Sequence, residues 1–434
     1  MKIDVGAAGV GVIDIPLPDE NVIVGLPVNR PAGSWEELTR RALAHPLGVQ
    51  RISEENLAGK KVVVITDDWG RPTPAWRMLP AVLEELHAAG ARREDITFVT
   101  GSGMHDTMSK EDLIRKLGAE VVENYRCISH DAGDVDNLVF MGVTDRGIPV
   151  WINRYVADAD YRIAIGRVHP HPTHGYEGGY KAIMPSIASF ESILRNHSSN
   201  FSRLSTFAVA RHNPSRDETD EIGLMVGLDF VIGIVVNYDA EPVQMYAGHV
   251  LTTHRACIHY GERYVWGVEV GEPADFTIAI PGLDKVDGVH SRSLEAAMRV
   301  TKPHGTIILH AGPEGKPPEL DPERKRWREL PIGEIYRLHE KRNWNMEPRP
   351  IQHLLKALRG EHYRRRAFHN RTQDVLVVGG PLLAETIQEM RLQPVDSMES
   401  AIQECIRRHG EKARVIVLPK AATTIPFQKF HEFV

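Results

Sequence analysis

The sequence predicts an α/β protein of two domains, each a mostly parallel sheet flanked by helices. Three observations predict it. Short β-branched runs alternate with helical patterns over the first two-thirds of the chain, the mark of strand–helix–strand units. Composition shifts after about residue 268, where a second series of strand-like runs begins. The length, 434 residues, fits two or three domains at roughly 150 residues each. The expected division is 1–268 and 269–419, with the tail 420–434 able to rejoin the first domain.

In the first domain, KVVVIT (61–66) reads as a buried strand. A helix is expected over 75–89, stopped by Gly90, and ITFVT (96–100) is the next strand. Ser109 and Asp112 have the spacing of a capping box for a helix that ends at Gly118. LVFMGV (138–143) and 150–153 read as a strand pair, and RIAIG (162–166) and FVIGIVVN (230–237) as further strands. The segment 189–195 is helix-like. The second domain shows FTIAIP (276–281), TIILH (306–310), VLVVG (375–379) and VIVLP (415–419). Between them, 314–372 is rich in Arg, Lys, Glu and Pro; its run HYRRRAFHNR (362–371) reads as a solvated helix face.

Charge and cysteine usage narrow the function. There are 52 basic and 58 acidic residues, a net charge of -6, so bulk electrostatics exclude a generally basic nucleic-acid binder. Cys127, Cys257 and Cys405 are far apart and form no metal or disulfide pattern. A reducing cytoplasm is expected, since the start MKIDVGAAG lacks a signal-peptide pattern. The longest apolar stretch, 223–236, is broken by Asp229 and too short to span a membrane. Histidine is abundant, with 21 copies; it titrates near neutral pH and is the commonest metal ligand.

In open α/β sheets, ligands bind beyond the carboxyl ends of the strands. After 61–66 come Asp67, Asp68, Trp69, Gly70, Arg71 and Pro72. After 96–100 come Gly101, Ser102, Gly103, Met104 and His105. After 162–166 come Arg167, His169, His171 and His174, and then Gly175-Tyr176-Glu177-Gly178-Gly179-Tyr180-Lys181. Three strand ends thus deliver polar residues to one rim. Adjacent glycines let backbone N–H groups approach a phosphate, and Lys181 is a candidate phosphate partner or amine nucleophile. The sequence has no HExxH, GxxxxGK[ST] or GxSxG; the glycines 312–315 have the wrong spacing for a P-loop, and those at 6–11 read as a flexible start.

Together these motifs resemble the nickel-pincer-nucleotide lactate racemase family of 2-hydroxyacid racemases and epimerases. The resemblance rests on Asp68-x-x-Arg71-Pro72, on Gly103-x-His105, on His171 with Lys181 ten residues later, and on Asn196-His197. It implies an active site in an interdomain cleft and a pyridinium mononucleotide that holds nickel through one carbon and two sulfurs. Lys181 would carry that cofactor through a thioamide, with Asp68, Gly178 and Gly179 against the nucleotide. His197 would be the fourth nickel ligand, imidazole being a suitable donor for square-planar Ni(II). His105 and His171 would be the acid/base pair, and Arg71 would orient the substrate. Cofactor-maturation proteins would be partners; oligomeric state is not indicated.

The chain departs from the family's pattern in places. Family lactate racemases carry a Tyr-Gln-x-x-Lys segment early in the second domain; the nearest equivalent, 283–293, has no Lys at the expected place but offers His290 and Arg292. Trp69-Gly70 stand where a hydroxyl residue is usual, and Arg167, His169 and His174 add polarity to the rim. The expected substrate is therefore a 2-hydroxyacid larger or more polar than lactate, such as a sugar acid or dicarboxylate. An alternative from the residues alone is a zinc hydrolase or lyase using His169, His171 and His174. A binding module without catalysis is a third reading.

Overall fold

The computed structural model describes residues 1–434 except 7–9, 106, 198–201, 203, 283–288, 312–370, 381–390 and 429–434, and the side chains of 289–291. The glycines 312–315 and nearly all of the basic run 362–371 lie outside the described residues.

Two six-stranded sheets organise the chain. In the first, the order across the sheet is Pro242–Gly248, Phe230–Val236, Tyr161–Val168, Val62–Asp67, Ile96–Gly101 and Arg126–Ser129. All neighbours are parallel except Pro242–Gly248, which runs antiparallel beside Phe230–Val236. Strands covered on both faces need apolar residues at every position rather than alternation. Phe230–Val236 meets that demand, buried along its whole length. Helices Ala75–Ala88 and Lys110–Leu117 pack on this sheet through one apolar cluster with Val62, Val64, Phe98 and Ile232. The second helix starts where the sequence predicts: Asp112 N–H donates to Ser109 Oγ, and Ser109 N–H to Asp112 Oδ2.

The second sheet runs Leu392–Val395, Asp374–Val378, Thr301–His310, Ala274–Ala279, Val415–Leu418 and Val22–Val24, all parallel. Val22–Val24 lies in sequence among the first 268 residues yet pairs with Val415–Leu418. A three-residue β-branched run carries no label for the sheet it joins. The hairpin of Lys2–Asp4 and Val12–Asp14 also packs on this sheet, where a flexible start was expected, because Ile3, Val5, Ile13 and Ile15 are buried against Phe276 and Ile278. Near the other terminus, Ile425–Phe427 pairs with Gly267–Glu269. The strand pair 138–153 forms its own antiparallel ribbon. No helix among the described residues is long and apolar enough to cross a membrane.

The order of the first sheet fixes where a ligand fits. From Val62–Asp67 the chain proceeds outward to Ile96–Gly101 and Arg126–Ser129, then returns to the other side with Tyr161–Val168 and Phe230–Val236. The connections therefore diverge between Val62–Asp67 and Tyr161–Val168, opening a crevice at their carboxyl ends.

Candidate active site

One pocket sits at that crevice, lined by Asp67 and Asp68 from one strand end, by Gly101 to His105 from the next, and by Arg167 from the third. Arg71, His171, Glu177, Gly178, Gly179, Lys181 and His197 also line it. Lys181 and His197, which are sixteen residues apart in sequence, thus face the same space. Helix Phe190–His197 runs two residues past its expected end, and this last turn presents His197.

Each group has local support. Gly178 and Gly179 adopt φ of +79° and +61°, and a Cβ at Gly178 would stand 2.7 Å from Val168 Cγ2. Only glycine fits that turn, which brings bare backbone to the pocket. Fully buried Arg216 fastens the same loop from helix Pro214–Val226, donating to the carbonyls of His174, Tyr176 and Gly178. Tyr176 is a buried packing residue whose hydroxyl donates to Glu262. His105 Nδ1 lies 2.5 Å from Oδ2 of buried Asp68. Asp67 pairs with buried Lys116 and accepts from Thr73 Oγ1.

On the opposite wall, His171 Nε2 is 3.5 Å from Lys181 Nζ. Its ring stands 5.2 Å from that of His174, which stands 5.8 Å from that of His197. Burial first, and the Lys181 ammonium next, push His171 and His174 well below the usual histidine range. His174 backs the pocket rather than lining it. The side chain of His290 is outside the described residues.

Glu177 is the residue sequence reasoning passed over, as an unspecified position inside the glycine motif. It is 5% exposed. Arg292 Nη2 is 2.8 Å, Arg167 Nη2 3.3 Å and Arg71 Nη1 3.4 Å from its carboxylate. Burial alone would raise its pKa, but the three guanidiniums outweigh burial and hold it well below the usual carboxylate range. No sequence signal marks this cluster, because Arg292 comes from helix Val289–Met298, which follows the second sheet's strand Ala274–Ala279.

The zinc alternative is not assembled. His169 packs edge-on against Trp266, with Nδ1 3.2 Å from the Pro170 carbonyl. Among the described residues no group of three or more His, Cys, Asp or Glu is placed to hold a metal ion.

The Lactate racemase N-terminal domain matches residues 9–207, which hold every pocket motif described above. A curated lactate racemase of Thermoanaerobacterium thermosaccharolyticum is 29% identical over 307 residues, covering 68% of this chain and 71% of its own length. One from Lactiplantibacillus plantarum is 28% identical over 286 residues, covering 64% and 66%. The chain is thus similar to lactate racemases over about two-thirds of its length, and its residues 9–207 match their N-terminal domain. The likeness in fold reaches further: the lactate racemase apoprotein structure from T. thermosaccharolyticum superposes with a TM-score of 0.77 over 98% of this chain and 99% of that one, at 23% identity. A Thermotoga maritima protein gives 0.61 over 92% and 100%, at 18% identity.

Proposed function

We propose that this chain interconverts stereoisomers at the hydroxyl-bearing carbon of a 2-hydroxyacid, with a nickel-pincer nucleotide bound through Lys181 and His197. The observation that carries the reading is that an amine, an imidazole and a glycine turn of open backbone share one pocket with His105, His171 and Arg71. That donor set fits the group: Lys181 as the amine that joins it, His197 as a nitrogen ligand suited to nickel, and Gly178 and Gly179 against the nucleotide. When bound, the group supplies the acceptor for the hydrogen that leaves Cα with its electron pair. This route avoids building negative charge beside the carboxylate, which proton removal from Cα would require.

The chain's own residues supply the rest. Arg71 orients the substrate anion, and its guanidinium, already angled by Glu177, offers paired donors. His105 and His171, whose rings line the same pocket, take and return the hydroxyl proton as general base and acid. Arg167 and Arg292 set two further positive charges against the single carboxylate of Glu177. This excess supports a substrate more polar than lactate, a sugar acid or a dicarboxylate. The second α/β unit would close over it, with Arg292 as its contribution. We place the protein in the cytoplasm, with cofactor-maturation proteins as its partners. The test is co-expression with those proteins, intact mass measurement, and an isomerisation screen across chiral 2-hydroxyacids. No adduct and no isomerisation would refute the proposal; a preference for lactate would refute the substrate class.

A further inference from the structure

We propose that His105 and His171 are held in opposite tautomers, His105 with its hydrogen on Nδ1 and His171 with its hydrogen on Nε2, so that the resting site has one proton acceptor and one hydrogen-bond donor. The assignment of their roles in turnover rests on the racemase reading. The tautomers themselves are properties of the chain without cofactor.

Consider His105 first. Its Nδ1 is 2.5 Å from Asp68 Oδ2. A carboxylate only accepts, so the shared hydrogen belongs to Nδ1, and Nε2 keeps its lone pair. In His171 the same ring atom meets the opposite partners. Backbone N–H groups of Thr173 and His174 point at Nδ1 from 3.2 and 3.1 Å, and Thr173 Oγ1 lies 3.4 Å away. A backbone N–H only donates. Nδ1 must therefore offer its lone pair, and the neutral ring carries its hydrogen on Nε2.

One contact argues the other way: an ammonium at Lys181 favours a lone pair on Nε2. That contact is 3.5 Å long, at the margin of hydrogen bonding. The two backbone bonds are of ordinary length and together outweigh the single marginal contact, so they decide the tautomer. Joining Lys181 to the cofactor also removes its positive charge. The buried, cationic surroundings of His171 disfavour the imidazolium, and an imidazolium would point an Nδ1 hydrogen at two N–H groups.

The consequence is a division of labour. For the stereoisomer whose hydroxyl faces His105, the O–H bond breaks as the Nε2–H bond forms. The imidazolium produced is offset by Asp68. His171 donates an Nε2–H hydrogen bond to a substrate oxygen and keeps its hydrogen. For His171 to accept a proton from the opposite stereoisomer, it must first give up both backbone bonds.

The test is ring-nitrogen NMR of the full-length chain, labelled in histidine and purified without cofactor, with signals assigned from the His105→Gln and His171→Gln variants. A protonated-type Nδ1 shift is expected for His105 and a protonated-type Nε2 shift for His171. In Asp68→Ala, His105 should move to the Nε2–H form that free histidine prefers, with His171 unmoved. The same tautomer on both rings, or a His171 ring protonated on Nδ1, overturns the assignment whatever the loaded enzyme does. Opposite tautomers in a loaded chain that racemises nothing uphold the assignment and overturn the racemase reading instead.

Discussion

Where Val62–Asp67 and Tyr161–Val168 part in the first sheet, their ends leave Asp67, Asp68 and Arg167 around a pocket. Ala274–Ala279 and Val415–Leu418 part in the same way in the second sheet, where the order also reverses. Their ends leave Ile280 buried and Lys420 with its ammonium 5.2 Å from the Tyr238 ring centroid. The second switch point sends one described charged side chain to the first, Arg292 on Glu177. The comparison teaches that a parallel sheet offers a place, and that the residues after its strands decide whether chemistry happens there.

The largest effect should come from the pocket amine. Lys181→Ala is expected to abolish both the covalent adduct and racemisation while far-UV circular dichroism stays native; intact mass after co-expression with maturation proteins checks it, and a surviving adduct removes Lys181 from its role. His197→Ala should lose nickel in metal analysis. Next is Glu177→Gln. Removing one partner of a buried charge cluster costs about 3–5 kcal/mol, so denaturant unfolding should show a loss of that order. A change under about 1 kcal/mol would mean that the three guanidiniums do not depend on Glu177.

A carboxyl-end residue of the first sheet outside the pocket gives a pH test. His130 is fully buried, with Nε2 3.0 Å from the Ala188 carbonyl and the Asn153 amide donating to Nδ1. Burial pulls its pKa down to about 4 from an ordinary 6.5. The unfolded chain therefore takes up a proton first. The neutral ring's contribution is complete above about pH 6.5 and is lost as pH falls toward about 4, by on the order of 3 kcal/mol. Unfolding free energies measured between these limits should be flatter in His130→Asn; an equal slope would remove His130 as the cause.

Smaller effects separate the sheets further. Arg292→Ala should lower kcat/KM for a dicarboxylate by about tenfold, the size of one charge-assisted hydrogen bond, and lower it less for lactate; equal losses would show that Arg292 does not read substrate charge. At the half-exposed Lys302–Asp275 pair of the second sheet, Lys302→Ala should change stability by under about 1 kcal/mol. A loss comparable with that of Glu177→Gln would dissolve the contrast between the two regions.

Much of this was legible in the chain itself. The strands at 61–66, 96–100, 162–166 and 230–237, the Ser109 cap and the Gly118 stop all follow from local pattern, and strand and helix lie where these signals put them. Lys181 and His197, singled out by their spacing, line one pocket, and one short helix carries His197 there. Other features had no local sign. Val22–Val24 chose the second sheet through a partner almost 400 positions away.

Periodicity, caps and glycine turns are properties of neighbouring residues, so the sequence alone determined the strands, the helices and the order of the polar loops. Which nitrogen of His105 meets Asp68, which arginines surround Glu177 and which wall holds His174 were decided only when distant segments packed. Glu177 and Arg292 are 115 positions apart, and an ion pair depends on distance and burial in space, which no local pattern encodes.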